Sequence, residues 1–234
     1  SLTGESFDYG PFAFIERWDP SFTAAYFDEG GLYAFGRQPT ICMQNLKLLQ
    51  SPLSMLVPTE RLGECLESFS DHYEVHFEFC ILRRLGLIDN QQTFEAYKKM
   101  HFSEHNLVRS TLSLISEWPI NYGAFFESFS QRIINHGLPT HSKEIEPFPF
   151  NVPLPSREKW LSWRNDWWGC QDKLTKSSRE ERDKIIERLT LWNSPQTPTR
   201  EVIENIWNDI DKNDNWSKFN HFIHSTSISG MEKY

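Results

Sequence analysis

Apolar residues recur every three or four positions over residues 62–85, and this spacing constrains the fold more than any other feature of the chain. It places the apolar side chains on one face of an α-helix, whereas a half-buried strand would alternate apolar and polar residues. We predict a central helix that begins near Pro58, buries this stripe and stops at Gly86. The stripe consists of Leu62, Cys65, Leu66, Phe69, Tyr73, Phe77, Cys80 and Leu85.

Similar apolar spacing predicts helices through most of the remaining chain. One helix follows Pro39, because proline is tolerated in a first helical turn. Its predicted buried stripe is Ile41, Met43, Leu46, Leu49 and Leu53. Further helices are predicted over residues 91–101, 107–118, 122–134, 157–174, 179–192, 200–210 and 214–224. Residues 1–37 are predicted to form loops with a turn at Gly30 and Gly31. The predicted fold class is therefore mainly α.

The segment 139–155 is rich in proline and interrupts the helical pattern. Proline favours extended backbone, and aromatic residues between the prolines can hold such a segment against a helical body. We therefore divide the chain into residues 1–138, a connector over residues 139–155 and a helical region over residues 156–234. The residues that mark the connector are Pro147, Phe148, Pro149, Phe150, Pro153 and Pro155.

The charge of the chain argues against a nucleic-acid partner. The formal net charge is -8 and the isoelectric point is near 5.5, whereas binding a polyanion requires a basic face. The densest group of basic residues is interleaved with glutamates, which indicates ion pairs along a solvated helix surface. This group comprises Arg179, Glu180, Glu181, Arg182, Lys184, Glu187 and Arg188. Because the chain is acidic and its densest basic group is interleaved with glutamates, we interpret the nine tryptophans as packing groups and not as a base-stacking surface.

Two compositional features predict a cytoplasmic protein. No apolar run approaches the roughly 18 residues that a membrane span needs, so we expect no membrane partner. The four cysteines are too far apart for a Cys-x-x-Cys motif, which predicts buried or free thiols in a reducing compartment.

Two histidine pairs have the four-residue spacing that zinc ligands use on a helix: His72 with His76, and His101 with His105. Neither pair has a glutamate directly after its first histidine, as the His-Glu-x-x-His zinc hydrolases require. We interpret all four as ordinary surface or half-buried histidines.

A carboxylate followed by an aromatic residue and a glycine stands near the start of the chain, at Asp8, Tyr9 and Gly10. Kinase-like folds use such a triplet to present a hard oxygen ligand to the magnesium of a bound nucleotide. By itself the triplet is equally typical of a turn. Asp8 is the candidate metal ligand.

The residues around Asp8 distinguish these two interpretations. The order Asp8-Tyr9-Gly10-Pro11-Phe12, then Tyr33-x-Phe35-Gly36-x-Gln38-Pro39, then Asn45-Leu46, closely resembles the selenoprotein O (SelO, YdiU-like) family. The resemblance continues through Asn121-Tyr122 with Phe125-Phe126, which looks like a helix start of that family. It extends to a C-terminal helical segment marked by Asn193, Pro195, Arg200, Ile203, Asp214 and Phe219.

The resemblance implies a fold, an activity and a set of ligands. It implies the C-terminal lobe of a protein kinase-like fold with an appended helical region. The family's activity is protein adenylyltransfer, in which AMP moves from ATP to Ser, Thr or Tyr hydroxyls of protein substrates. Asp8 would then bind Mg²⁺ or Mn²⁺ and, through the metal, ATP. A eukaryotic member would be expected in mitochondria.

The same resemblance implies that the isolated chain is inactive. The family's glycine-rich loop and its general base are expected upstream of Ser1, so no catalytic base is assigned within the chain. The alternative is a non-catalytic helical interaction module, a pseudoenzyme that kept the fold and lost the nucleotide site.

Overall fold

The computed structural model describes residues 13–24, 27–88, 102–145, 156–177, 180–193 and 197–228. Within these ranges the chain consists of helices joined by turns and loops, and no strand occurs in them. The prediction of a mainly α fold is confirmed. Asp8, the predicted helix over residues 91–101 and the prolines at positions 147–155 lie outside the described residues.

The chain divides into two compact units. The first comprises Ser1–Ile15 and Asp19–Asp71, and the second comprises Glu16–Trp18 and His72–Tyr234. Each unit is described by itself.

The first unit contains a short 3₁₀ helix at Phe35–Arg37, followed by α1 (Gln38–Leu53) and α2 (Thr59–Glu67). As predicted, α1 has a proline in its first turn. The side-chain amide of Gln50 donates a hydrogen bond of 2.7 Å to the carbonyl oxygen of Leu62 and joins the two helices.

The predicted burial of one α1 stripe is wrong. No residue of α1 is buried, and Leu46, Leu49 and Leu53 are 38%, 45% and 37% exposed. Within the first unit α1 packs against α2 and the 3₁₀ helix. These contacts leave the apolar stripe of α1 partly exposed.

The helix predicted over residues 62–85 is divided in two. A turn at Ser68 separates α2 from α3 (Phe69–Arg84). The buried residues of α3 are Val75, Phe79, Ile81 and Leu82, whereas Tyr73 and Cys80 of the predicted stripe are exposed. Because apolar residues occupy more than one face of α3, the spacing predicted a helix correctly and its buried face incorrectly.

The end of α3 agrees with the prediction. Gly86 has a φ of +77°, a left-handed conformation that glycine adopts without a Cβ penalty. The amide of Leu87 donates to the carbonyl oxygen of Leu82 at 3.0 Å, which closes the end of the helix.

The second unit continues from α3 with six further helices in its described part, near the predicted positions. Asn121 caps the start of α5, where its side chain accepts a hydrogen bond of 3.0 Å from the amide of Ala124. The helices are α4 (Phe102–Glu117), α5 (Tyr122–His136), α6 (Arg157–Ser177), α7 (Glu180–Trp192), α8 (Arg200–Asn213) and α9 (Ser217–Ile228).

The core of the second unit is built around aromatic side chains, as the tryptophan content predicted. Helix α4 packs along α6, and α5 and α6 both pack on α7. Trp163 donates a hydrogen bond of 2.8 Å to the Thr111 hydroxyl, and Trp167 donates one of 3.0 Å to the carbonyl oxygen of Leu85. The buried tryptophans therefore fill volume while their ring N–H groups hold α6 against α4 and the end of α3.

The surface of α7 carries the predicted ion pairs. Lys184 lies 3.1 Å from Glu180 and 3.3 Å from Glu181, and Arg188 lies 3.5 Å from Glu181. Spacings of three and four residues place such charges side by side on a helix. None of the helices in the described part of the chain combines the length and apolar character needed to cross a membrane.

Candidate functional site

The predicted metal ligand Asp8 lies outside the described residues, so its coordination stays a prediction. The described structure begins at Ala13, five residues further along. The described part of the first unit carries the motif residues between Tyr33 and Asn45.

A close backbone approach explains the glycine of the Tyr33-x-Phe35-Gly36 motif. The amide of Gly36 donates to the carbonyl oxygen of Pro20 at 2.8 Å, and the amide of Phe35 donates to the carbonyl oxygen of Phe22 at 2.8 Å. A Cβ atom on Gly36 would lie 2.8 Å from the Cβ of Pro20 and 3.0 Å from its oxygen. Only glycine therefore lets the motif lie directly against the turn at Pro20.

Asp28 organises the loop before the motif. Its carboxylate accepts hydrogen bonds of 2.8 Å from the amides of both Leu32 and Tyr33, and one of 3.3 Å from the Thr23 hydroxyl. The bond from the Tyr33 amide is the largest cause that lowers the pKa of the Asp28 carboxyl. At Gly31 the φ of +62° completes the turn predicted from the paired glycines. Asp28 was missed as a site residue, although an aspartate just before two glycines is a turn signal.

Four motif residues line one cleft in the first unit. Tyr33, Phe35, Gln38 and Asn45 form part of the wall of a cleft of about 430 Å³. The other lining residues are Ala13, Ile15, Phe22, Thr23, Ala24, Phe27, Ile41 and Cys42. The motif is dispersed along the sequence, and the fold brings it together.

The cleft is suited to binding. Its described lining is mostly apolar and aromatic, with the hydroxyl of Thr23 and the amides of Gln38 and Asn45 as polar groups. A cleft of this size and composition typically positions a ligand through a few polar contacts. The described lining residues include no carboxylate, and Asp8 lies outside the described residues.

The described histidines form no metal centre. His72 and His76 are exposed, and His101 lies outside the described residues. His105 lies with its Nδ1 2.6 Å from a carboxylate oxygen of Glu78. In the described part of the chain no group of three or more potential metal-ligating residues occurs.

The second set of motif residues has a structural role in the second unit. The guanidinium of Arg84 lies over the rings of Phe126 and Tyr122, at 4.1 Å and 5.2 Å from their centroids. Burial lowers the pKa of the Arg84 guanidinium and raises the pKa of the Tyr122 hydroxyl. The ring of Trp18 also stacks on that of Tyr122, with 5.8 Å between their centroids. The start of α5 is therefore fixed by packing around a buried cation.

Comparison with known proteins identifies relatives along almost the whole chain. A family model described as Protein adenylyltransferase SelO matches residues 1–227. A protein nucleotidyltransferase YdiU of Gloeobacter violaceus is 35% identical over 226 residues, which is 95% of this chain and 43% of the relative. A protein of the same description from Trichodesmium erythraeum is 33% identical over 220 residues, 94% of this chain and 42% of the relative. The chain thus spans less than half the length of these relatives.

Proposed function

The chain belongs to the SelO family, and we propose that it forms part of a nucleotidyltransferase that moves AMP from ATP to Ser, Thr or Tyr hydroxyls of proteins. Its contribution would be a C-terminal lobe with a metal-binding loop at Asp8. The observation that supports this proposal is the convergence of Tyr33, Phe35, Gln38 and Asn45 on one cleft of the first unit.

Magnesium would suit a site built on Asp8. Mg²⁺ takes hard oxygen ligands and keeps several waters, so one or two carboxylates suffice. The carboxylates of Asp19 and Asp28 already accept backbone amide hydrogen bonds within their own loops. This supports Asp8 as the metal ligand, because the next aspartates along the chain are used for loop structure.

The residues of the chain would position the nucleotide and the acceptor, and the bound metal would neutralise phosphate charge. Asp8 would hold the metal, with Gly10 permitting the loop to turn there. The cleft wall at Tyr33 and Phe35 would limit how close water and acceptor groups come to the metal loop. No group in the described chain is assigned as the general base.

We propose that the general base and the groups that hold the triphosphate belong to the part of the relatives that this chain does not match. The test compares the chain alone with a chimera in which it replaces the matching 226-residue segment of the Gloeobacter violaceus relative. Both are incubated with labelled ATP, Mg²⁺ and a protein acceptor.

We expect the chimera to label the protein acceptor and the chain alone to give no label above background. Catalytic groups act as a unit, so removing many of them should abolish activity and not merely reduce the rate. Labelling by the chain alone would contradict the assignment of the base. A folded chimera without activity, beside an active relative, would contradict the nucleotidyltransferase proposal.

One observation favours the alternative of a non-catalytic interaction module. The first unit exposes large apolar side chains near the end of α1, with Leu48, Met55 and Leu56 exposed by 74%, 86% and 85%. Exposed apolar groups of this kind often mark interaction surfaces. The chimera separates the two functions, since a pseudoenzyme would bind partners and transfer no AMP.

A further inference from the structure

A second cleft lies in the second unit, apart from the residues used in the proposed function. It has a volume of about 480 Å³ and lies between the start of α5, the segment at Thr197 and Thr199, and helices α8 and α9. Its apolar wall comprises Ala124 from α5 with Val202 and Ile206 from α8. A volume of this order accommodates a small organic group or a long side chain.

One carboxylate in this cleft, that of Glu127, has no partner among the described residues. Glu127 is half-buried, and among the described residues its side chain has no hydrogen-bond donor and no cation within ion-pair distance. Burial raises the pKa of the Glu127 carboxyl. Placing a carboxylate beside apolar groups without a compensating donor is costly, and a bound cation removes that cost.

The other charges around the cleft are accounted for. Lys218 lies on the α9 side, where its ammonium group donates a hydrogen bond of 3.0 Å to Asn205 and lies 3.5 Å from a carboxylate oxygen of Asp209. His221, also from α9, is exposed. The ammonium of Lys218 is therefore directed to α8, and the charge of Glu127 stays uncompensated.

We propose that this cleft binds a guanidinium or ammonium group on an aliphatic stem, with Glu127 as the anionic partner. The stem would lie along Val202 and Ile206, and the side-chain hydroxyls of Thr197 and Thr199 would accept from the remaining N–H groups. Such a cation is supplied either by an arginine or lysine side chain of another protein or by a free alkyl amine or guanidine.

The experiment uses a pair of probes with the same shape and different charge, butylguanidinium and butylurea. Each is titrated into the ¹⁵N-labelled chain at pH 7.5 while the backbone amides are followed by NMR. We expect saturable shifts centred on Ala124, Glu127 and Val202 with butylguanidinium, and binding at least about tenfold weaker with butylurea. Equal binding of the two probes, or no saturable shift with butylguanidinium, would overturn the proposal.

Two variants locate the site. Glu127→Gln keeps the shape and removes the charge, so we expect about a tenfold or greater loss of butylguanidinium affinity. The matched control Glu201→Gln changes an exposed glutamate on α8 that does not line the cleft, and it should bind as the parent does. Ala124→Lys places an ammonium one helical turn from Glu127, where it can pair with the carboxylate, and it should abolish binding. Unchanged affinity in the folded Glu127→Gln variant would assign the probe to another place and refute the proposal.

A third arm distinguishes the two sources of the cation. Arginine blocked as N-acetyl methylamide imitates a side chain within a protein, and butylguanidinium imitates a free ligand. Tighter binding of the blocked arginine would indicate a protein partner, because its backbone amides add contacts at the cleft mouth. Tighter binding of the free guanidine would indicate a small-molecule ligand.

Discussion

Arg84 and Asn193 exchange hydrogen bonds across 109 positions of sequence. The Nε of Arg84 donates to the side-chain oxygen of Asn193 at 3.2 Å, and the side-chain amide of Asn193 donates to the carbonyl oxygen of Arg84 at 2.9 Å. The same amide also donates to the carbonyl oxygen of Leu189 at 3.1 Å. A single buried amide thus fixes the end of α3 to the end of α7.

This pair predicts a specific loss of stability. Asn193→Ala removes the partners of two backbone carbonyl oxygens and of the half-buried Arg84 guanidinium, so we expect the free energy of unfolding to fall by about 1–3 kcal/mol. Urea unfolding followed by tryptophan fluorescence measures the change, because the buried tryptophans belong to the second unit. Asn208→Ala, at an exposed position on α8, is the control and should change stability by less than about 0.5 kcal/mol. Equal effects of the two variants would contradict the role of Asn193.

We expect truncation of Phe129 in the aromatic core to lower stability more than truncation of Phe69. Phe129 is fully buried, and its ring meets those of Trp163 and Trp167 edge to face at 5.4 Å and 4.9 Å. We expect Phe129→Ala to cost about 3–5 kcal/mol. Phe69, at the start of α3, is only partly buried, so Phe69→Ala should cost less. Urea unfolding of both variants tests the order, and a larger loss at Phe69 would contradict the structure.

The regular elements were predictable from sequence because their signals are local. Pro39 in the first turn of α1 and Gly86 after α3 each act within a few residues, and each stands where it was predicted to act. Asn121, which the family resemblance placed at a helix start, caps α5. The buried face of α3 was not predictable. Tyr73 and Val75 are both apolar enough to face a core, and only the packing of distant helices selects Val75.

Of the two candidate sites, one could be predicted from the sequence and the other could not. The motif around Gly36 could be found in the sequence, since its residue order is distinctive. Glu127 gave no signal, because a glutamate in an amphipathic helix ordinarily faces solvent. Its position beside Val202 and Ile206 follows from the placement of α8.

Because Gly36 lies so close to Pro20, we expect even a methyl side chain at position 36 to disrupt the local structure. Gly36→Ala forces a Cβ atom to 2.8 Å from Pro20, which the structure can relieve only by moving the motif from the turn. We expect a loss of about 1–3 kcal/mol and faster hydrogen exchange at the Phe35 amide, whose partner is the carbonyl oxygen of Phe22. Gly30→Ala is the matched control, since a Cβ there has nothing within 4 Å. Unchanged exchange in Gly36→Ala would contradict the described contact.

We expect replacement of Glu127 by glutamine to increase stability in a pH-dependent way. Its pKa is raised by burial, so the folded chain binds this proton more tightly than the unfolded chain, and stability falls as pH rises through the raised folded pKa. Glu127→Gln removes that ionisation cost. We expect the variant to be more stable than the parent at pH 7 and the difference to vanish below about pH 4, where both states of the parent are protonated.

The measurement for Glu127→Gln is urea unfolding of parent and variant at both pH values, in the absence of any added cation. Lys218 and His221 are the other titratable groups lining the cleft and are the same in both proteins, so they cancel in the comparison. Glu201→Gln should show no such gain. If the difference in stability between Glu127→Gln and the parent were smaller at pH 7 than at pH 4, the prediction would be contradicted.

Asp8 is tested most sharply in the chimera, where activity can be measured. Asp8→Asn keeps the shape of the side chain and removes the negative charge that balances a bound dication, so AMP transfer should fall by orders of magnitude. The melting temperature should change little, because a carboxylate whose role is to bind a metal is not expected to contribute to a core. Asp19→Asn is the matched control: its carboxylate accepts hydrogen bonds from Ser21 in a solvent-exposed turn, and the variant should keep its activity. Near-parental AMP transfer by Asp8→Asn at saturating Mg²⁺ would remove Asp8 from the mechanism, while the family assignment of the chain would stand.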